Sequence, residues 1–552
     1  MIVEIPVMIA GGGPVGMTLA LELARHGVRS ILVERNTHTT RHPKMDLTNG
    51  RSMELYRRLG LSDRLRAVGV PEENPWPIIW CTAPNGEELA RFDYPCAAEQ
   101  RNATALLNNG SGTAEPGMRI SQIVLEPVLK KAIEENPLVD ARFGWMFETL
   151  QQEADGVVTT IKQTDGEQRA SIRSDYLIGC DGGGSRVRRA VGIELEGNHD
   201  VARIMMIHFR SDAREILARF GIAWHLQNHA GSLVAQDDRD TWTAHLPLLP
   251  GTDETTLDAE AMIREFVGQD FPFEILMANP WTPRLVIAER YIADRVILAG
   301  DAAHQVIPTG GYGMNTGVGD AVDLGWKLAA TIKGWGGDAL LKSYESERMA
   351  VAVQNRQASE RHFAVRMAIL DLYVNAMTEG ELDAAGPEGA ARRSALSESI
   401  KTLGNAENES WGIEHGYRYP ASAILAVDAG PPPTFDPLRC IPTTYPGARL
   451  PHILLSDSTP LLDKLGPAFS VIAVRGGNAR PFVEAADELG IPLTVAELPD
   501  QAALHVIDRR LLLVRPDGHI AWRGDDVGDA RSVLTRASGR ISQNQTSTAE
   551  AA

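Results

Sequence analysis

The chain opens with a short unbroken apolar run, "VMIAGGG", shifts to helical spacing in "PVGMTLALELARHG", and returns to a run in "RSILVER". That succession predicts a buried strand, an amphipathic helix closed by Gly27, and a second buried strand. It is the start of a parallel sheet carrying helices on its faces. "SMELYRRLGLSDRLRAVG" and "RISQIVLEPVLKKAIEEN" place apolar residues at helical intervals and predict two further helices. The turn-rich segment 76–110 is expected in a sheet inserted into this first unit. Strict alternation broken by turn signals runs from about 143 to 178 and ends in the apolar "YLIGCDGGG".

Residues 200–290 alternate again around "RDTWTAHLPLLPG" and predict a second, mostly β region. "RVILAG" then returns as a buried strand, "GVGDAVDLGWKLAATIKG" follows as a helix, and helical spacing continues to about 380. "DAAGPEGAARRSALSESIK" has weak patterning and reads as a mobile connector, and the Pro-rich text up to 449 reads as a boundary. From 450 to 540 strands and helices alternate as in a small α/β domain, and the tail 541–552 lacks core-forming residues.

Composition narrows the class. Of 552 residues, 43% are apolar and 23% charged, as in globular proteins, and the length exceeds one ordinary core. Asp and Glu total 72 against 54 Lys and Arg, a formal charge of −18 that repels phosphate backbones and anionic lipid. No nucleic-acid or membrane partner is therefore expected. Four cysteines, Cys81, Cys96, Cys180 and Cys440, lie far apart without zinc or CxxC spacing. No metal is expected, and a cytoplasmic location fits a chain that begins directly in a strand.

Two glycine clusters carry chemistry. Gly11, Gly13 and Gly16 form GxGxxG between the first strand and helix, and Glu34 ends the next strand. In that setting the glycines allow a tight turn, close approach of a pyrophosphate and helix–strand packing, while the acid reaches a ribose. The alternative is a tight turn without ligand. The second cluster, "GDAAHQVIPTGGYGMNTG", follows the later strand and precedes a helix, whose N-terminal N–H groups would face an anionic or electron-rich group. An ordinary glycine-rich loop is the alternative there.

Together "GGGPVG…E", "YLIGCDGGGSRVRRAVGI" and "GDAAHQVIPTGGYGMNTGVGDAVDLGWKLA" resemble, in order and spacing, the three fingerprints of class A flavoprotein monooxygenases, the p-hydroxybenzoate hydroxylase and phenol hydroxylase group. The resemblance spans about residues 1–385. The C-terminal segment is similar to the thioredoxin-like domain of phenol and polyketide hydroxylases; lacking CxxC, it implies packing or dimerisation rather than redox work. The implied fold is α/β, with a Rossmann-type FAD-binding domain (about 1–75, 100–180 and 285–385) and an interleaved β-sheet substrate domain (about 76–100 and 181–284). A connector (386–449), a thioredoxin-like domain (450–540) and a disordered tail (541–552) would follow.

The resemblance implies FAD held by Gly11, Gly13, Pro14, Val15 and Gly16, by Glu34, Arg35 and Lys44, and by Gln122, Asp181 and Asp301. Pro308, Gly311, Gly313, Met314 and Asn315 would lie against the isoalloxazine. Lys44 stands where the family usually has Arg, Thr309 where it has a second Pro, and Tyr312 where it commonly has Gln. Asp46 matches the position of an acid or His near the substrate hydroxyl, where a general base would make the ring electron-rich; the alternative is a helix cap near Asn49. His208, His225 and Tyr312 are candidate substrate contacts, with His245 a further histidine of the β region. Trp224 and Trp242 read as core.

The implied activity is hydroxylation of a phenolic ring through a C4a-hydroperoxyflavin, with O₂ and NADPH or NADH, by a homodimer. Baeyer–Villiger or antibiotic-modifying oxygenation and a non-catalytic flavin-binding regulator are the alternatives.

Overall fold

The computed structural model describes residues 2–420 and 422–541. All but the first residue of the expected tail lies outside them. An eight-stranded sheet forms the Rossmann-type half, with Val296–Leu298, Arg169–Gly179, Ile2–Ala10, Ser30–Glu34 and Val139–Phe143 side by side and parallel. Buried on both faces, the central strands are the apolar runs of the sequence. Ala10 pairs with Val33 and Gly179, and Gly179 with Leu298. Four strand ends therefore share one row. Gly11, Glu34, Asp181 and Asp301 emerge from the carboxyl edge of one sheet, where α/β folds bind ligands.

A second sheet has seven strands, in the order Glu274–Trp281, Ile204–Arg210, Thr241–Pro247, Gly231–Ala235, His225–Asn228, Ile78–Cys81 and Glu88–Phe92. Alternation assigns its two faces. Ile207, Phe209 and Ala244 pack beneath helix Ala259–Val267 through Ile263, Phe266 and Val267. Met206, Ser232 and His245, in register across neighbouring strands, turn to the opposite side, toward the Rossmann-type half.

The stretch read as a mobile connector is instead a helix, Pro387–Leu403. Leu396 and Ile400, one turn apart, bury against Trp80, Leu89 and Tyr373, tying the second sheet to the 41-residue helix Asp338–Thr378. So sparse an apolar face does not read as a stripe in sequence, and tertiary packing supplies the rest of the stability.

Residues beyond 449 form a four-stranded sheet, Leu493–Glu497, Phe469–Ala473, Leu511–Val514 and Ile520–Gly524, flanked by helices Arg480–Leu489 and Ala530–Ala537. Phe469 packs edge-on against Trp326 and Trp335 of the Rossmann-type half, so one apolar cluster spans both. The four cysteines are free and buried. Among the described residues no helix is long and apolar enough to cross a membrane, and no metal-ligating cluster forms.

Candidate active site

A cavity of about 1790 Å³ separates the two large sheets. Two helix N-termini open on it. Helix Pro14–Arg25 starts at Gly13 and helix Tyr312–Ile332 at Gly311, and neither has a side-chain cap. Their first-turn N–H groups are left for a ligand, and both dipoles favour negative charge there. At Gly11, φ is +115° and a Cβ would lie 2.2 Å from the Cys180 carbonyl oxygen; at Gly16 it would lie 2.0 Å from that of Gly11. A Cβ at Gly13 meets no protein atom within 4 Å. Gly11 and Gly16 are thus fixed by the chain's own packing, and Gly13 is bare toward the cavity.

Gly11, Gly13, Pro14, Val15, Glu34, Arg35, Lys44, Gln122, Asp181, Asp301, Pro308, Gly311, Gly313 and Met314 all line this one cavity, although they range from position 11 to position 314. The Glu34 carboxylate accepts from Gly12 N (2.9 Å) and Asn36 Nδ2 (2.7 Å), which fixes it at the strand end. Gln122 donates to Glu126 (2.7 Å), which also accepts from Thr40 N (2.7 Å); burial raises the Glu126 pKa. Asp181 lines the wall, yet its carboxylate caps a short helix, accepting from Arg186 N (2.7 Å) and Val187 N (3.2 Å) as well as Ser185 Oγ.

Three side chains point elsewhere than expected. Asn315 faces away from the cavity: it accepts from Asn49 N (3.0 Å) and donates to Leu47 O (3.2 Å) and Gly311 O (2.7 Å), latching the loop to residues 47–49. Tyr312 is 2% exposed and packs on Ala358, Ile413 and His362 behind the loop, because a helix start turns successive side chains to different sides. His208 shares the cavity-facing side of its strand but is 2% exposed, held by Trp242 O and Thr243 Oγ1, both at 3.1 Å. Neither Tyr312 nor His208 reaches the cavity.

Asp46 does. Its backbone carbonyl accepts from Ile120 N (2.9 Å), and the short Leu47–Thr48/Met118–Arg119 ladder holds it in place. Asn49, not Asp46, caps helix Gly50–Arg58, accepting from Ser52 N (2.9 Å). The Asp46 carboxylate instead accepts from the Trp224 indole N–H and stands 3.6 Å from His225 Nε2. Burial alone would raise its pKa, but His225, Trp224 and the buried Arg119 outweigh that, and it lies below the ordinary aspartate value. His245, on the same wall, is pushed down to about 4 by burial and is neutral at working pH.

Sequence reasoning missed a second role of Trp224. It packs on Trp76 as a core residue while its indole edge reaches the cavity. Missed too were the walls built by Arg366 and Glu407. Glu407 accepts from Gln227 (2.9 Å) and lies 3.6 Å from Arg366. Trp224 and His225 are neighbours at a strand start, where both can face one cavity; nothing in the local sequence marks Arg366 and Glu407.

The donor set fits FAD: uncapped helix starts for pyrophosphate and flavin, and an acid at the second strand end for the ribose. Residues 4–359 match the family described as FAD binding domain, and 443–542 that described as Aromatic-ring hydroxylase, C-terminal. The chain belongs to the FAD-dependent aromatic-ring hydroxylases. It is 38% identical to the FAD-dependent monooxygenase apdD of Emericella nidulans, over 98% of this chain and 91% of that protein. It is 31% identical to 4-methyl-5-nitrocatechol 5-monooxygenase of Burkholderia sp, over 97% of each. Among solved structures, the rebeccamycin biosynthetic enzyme RebC with reduced flavin superposes with a TM-score of 0.88 at 31% identity, covering 98% of this chain and 100% of that one. As a member of this family the chain is a flavin-dependent monooxygenase of aromatic or polyketide substrates, with FAD as its cofactor.

Proposed function

We propose that this hydroxylase acts on a phenolic ring, using NAD(P)H and O₂, with Asp46 and His225 receiving the substrate hydroxyl. The observation that supports it is the Asp46 carboxylate held ionised at the cavity wall by Trp224, with His225 beside it. When bound and reduced, FAD would activate O₂ as the source of the electrophilic oxygen. The protein's part is to orient the ring and enrich it in electrons. A hydroxyl that reaches the Asp46 carboxylate donates to it, and its proton passes to Asp46, with His225 beside it, as the ring becomes phenolate. Arg119, buried nearby, offsets the added negative charge.

Substrate size follows from the cavity. At about 1790 Å³ it exceeds the roughly 300–1,000 Å³ of ordinary small-ligand pockets. Beside FAD there is room for a phenol of more than one ring.

The test is a panel of mono-, di- and polycyclic phenols, each mixed with enzyme and NADPH or NADH, with oxygen uptake and hydroxylated product both measured. Phenol-stimulated uptake matched by product supports the reading. Oxidation of ketones without response to any phenol points to Baeyer–Villiger oxygenation, and oxidation indifferent to every aromatic compound to a non-catalytic flavin binder.

A further inference from the structure

The C-terminal sheet sends one side chain deep into the flavin half. Arg515 follows strand Leu511–Val514 at the hairpin turn and is fully buried. It grips Glu347 with both ends of its fork, Nη1 to Oε1 and Nη2 to Oε2 at 2.8 Å each. Nη2 also donates to Asp323 (2.8 Å) and to Asp517 of its own hairpin (2.7 Å). The guanidinium lies over the rings of Tyr419 and Trp326, 4.9 and 5.3 Å from their centroids. Asp323 belongs to helix Tyr312–Ile332 and Glu347 to helix Asp338–Thr378, so Arg515 clamps the two together.

Charge favours the clamp. Within the flavin half, Asp323 and Glu347 share one cation, Lys327, at 2.8 and 2.6 Å, and all three are buried. Asp517 adds a third acid, burial pushes the Asp323 carboxyl up, and Arg515 is the second of only two cations in the cluster. Burial raises the Glu347 carboxyl, but Arg515 and Lys327 outweigh it and hold it at about 2.

The clamped helix carries the flavin loop at its start. Eight residues, about 12 Å of helix, separate Asp323 from the Gly311–Asn315 turn. Between them Asp320 accepts from Gly300 N (3.1 Å), next to Asp301, and from Arg348 Nε (2.8 Å). Arg348 in turn reaches Thr316 O (3.0 Å) and the Tyr419 hydroxyl (3.3 Å). The helix start and the Asp301 segment therefore share a frame with residues contributed from beyond position 415.

We propose that Arg515 is a positioning residue for the flavin site: by holding Asp323 of helix Tyr312–Ile332 and Glu347 of helix Asp338–Thr378 together, the C-terminal sheet fixes the loop against which FAD binds. Arg515 touches no part of the cavity and acts only through that helix. The proposal needs only FAD binding, not the phenol reading.

The test is FAD affinity of the full-length apoprotein, followed by flavin fluorescence, for wild type, R515M, R515K and R515M/E347Q, with thermal melting in parallel. R515M leaves the three buried acids Asp323, Glu347 and Asp517 facing Lys327 alone and is expected to weaken FAD binding about tenfold or more. R515K keeps the charge and should fall between R515M and wild type. R515M/E347Q restores the wild-type charge count and should bind within about threefold of wild type, beyond what a general loss of packing allows. R515M binding FAD as tightly as wild type overturns the proposal, as does a double variant no better than the single one. If R515M does not fold, the double variant decides: near-native affinity supports the clamp, and a colourless or insoluble double variant refutes it.

Discussion

Replacing Asp46 by Asn removes a charge and little else. The amide oxygen still accepts from the Trp224 indole, and no carboxylate-dependent packing is lost, because Asn49 caps the neighbouring helix. A positioned general base is worth about 10²- to 10⁴-fold. Asp46 should sit at the lower end, since its partners hold the carboxyl below the ordinary aspartate value and a weaker base accepts a phenol proton less readily. The expected loss in kcat is therefore about 10²-fold, or roughly 3 kcal/mol of barrier. FAD affinity should stay at the wild-type value if, as proposed, the side chain faces the substrate. Oxygen uptake and product formation, measured together, form the assay, and NAD(P)H oxidation should increasingly yield H₂O₂ rather than product. In wild type the rate should fall as pH drops through the lowered Asp46 pKa, and this acid limb should vanish in the variant. A D46N enzyme within about threefold of wild type, and still fully coupled, would refute the general-base reasoning.

The glycines separate packing from ligand contact: Gly13→Ala should melt like wild type yet bind FAD at least about tenfold more weakly, whereas Gly16→Ala should lose both, its Cβ meeting the Gly11 carbonyl. Glu54, buried against Arg449 (2.9 Å) and Arg51 (3.2 Å), has its pKa held well down, burial being outweighed by those two cations. Arg449→Ala should cost about 3 kcal/mol in denaturant unfolding. The stability due to Glu54 is full above its unfolded pKa and lost only as pH falls through the depressed folded value. His245, His362, His452 and His519 are each pushed down to about 4 by burial. The unfolded chain gains their protons first, so Tm should fall as pH drops from about 6.5 toward 4; a flat Tm across the upper half of that range contradicts this. Leu396→Ala should cost about 2–4 kcal/mol by chemical denaturation if helix Pro387–Leu403 packs as described.

The parallel strands and the glycine-rich starts of two helices were legible because continuous apolar runs and GxGxxG have few other physical uses. Their meeting at one sheet edge was not written in either motif; it comes from the register that aligns Ala10, Val33, Gly179 and Leu298. Side-chain direction was the weak point. Asn315, Tyr312 and His208 stand in the expected segments but point elsewhere, since one residue of helix or strand rotation decides between cavity and core. Trp224 serves core and cavity at once, which no pattern of apolar spacing can announce. Glu407, Arg366 and the helix Pro387–Leu403 were invisible because what organises them is contact with residues distant in the chain, Gln227 for Glu407, Glu407 for Arg366, and Trp80 and Leu89 for the helix. The Arg515 cluster is likewise a product of tertiary structure: its three acids and two cations come from three separate segments.

The central claim is that one cavity joins FAD to a phenol held by Asp46 and His225 so that an oxygen atom enters the ring. Turnover under ¹⁸O₂ with NAD(P)H and a phenol that stimulates oxygen uptake, with the product's mass measured, addresses it directly. One ¹⁸O in the new ring hydroxyl per NAD(P)H consumed is the predicted result. Product carrying only solvent oxygen, or reducing equivalents emerging entirely as H₂O₂ with every phenol, would contradict it.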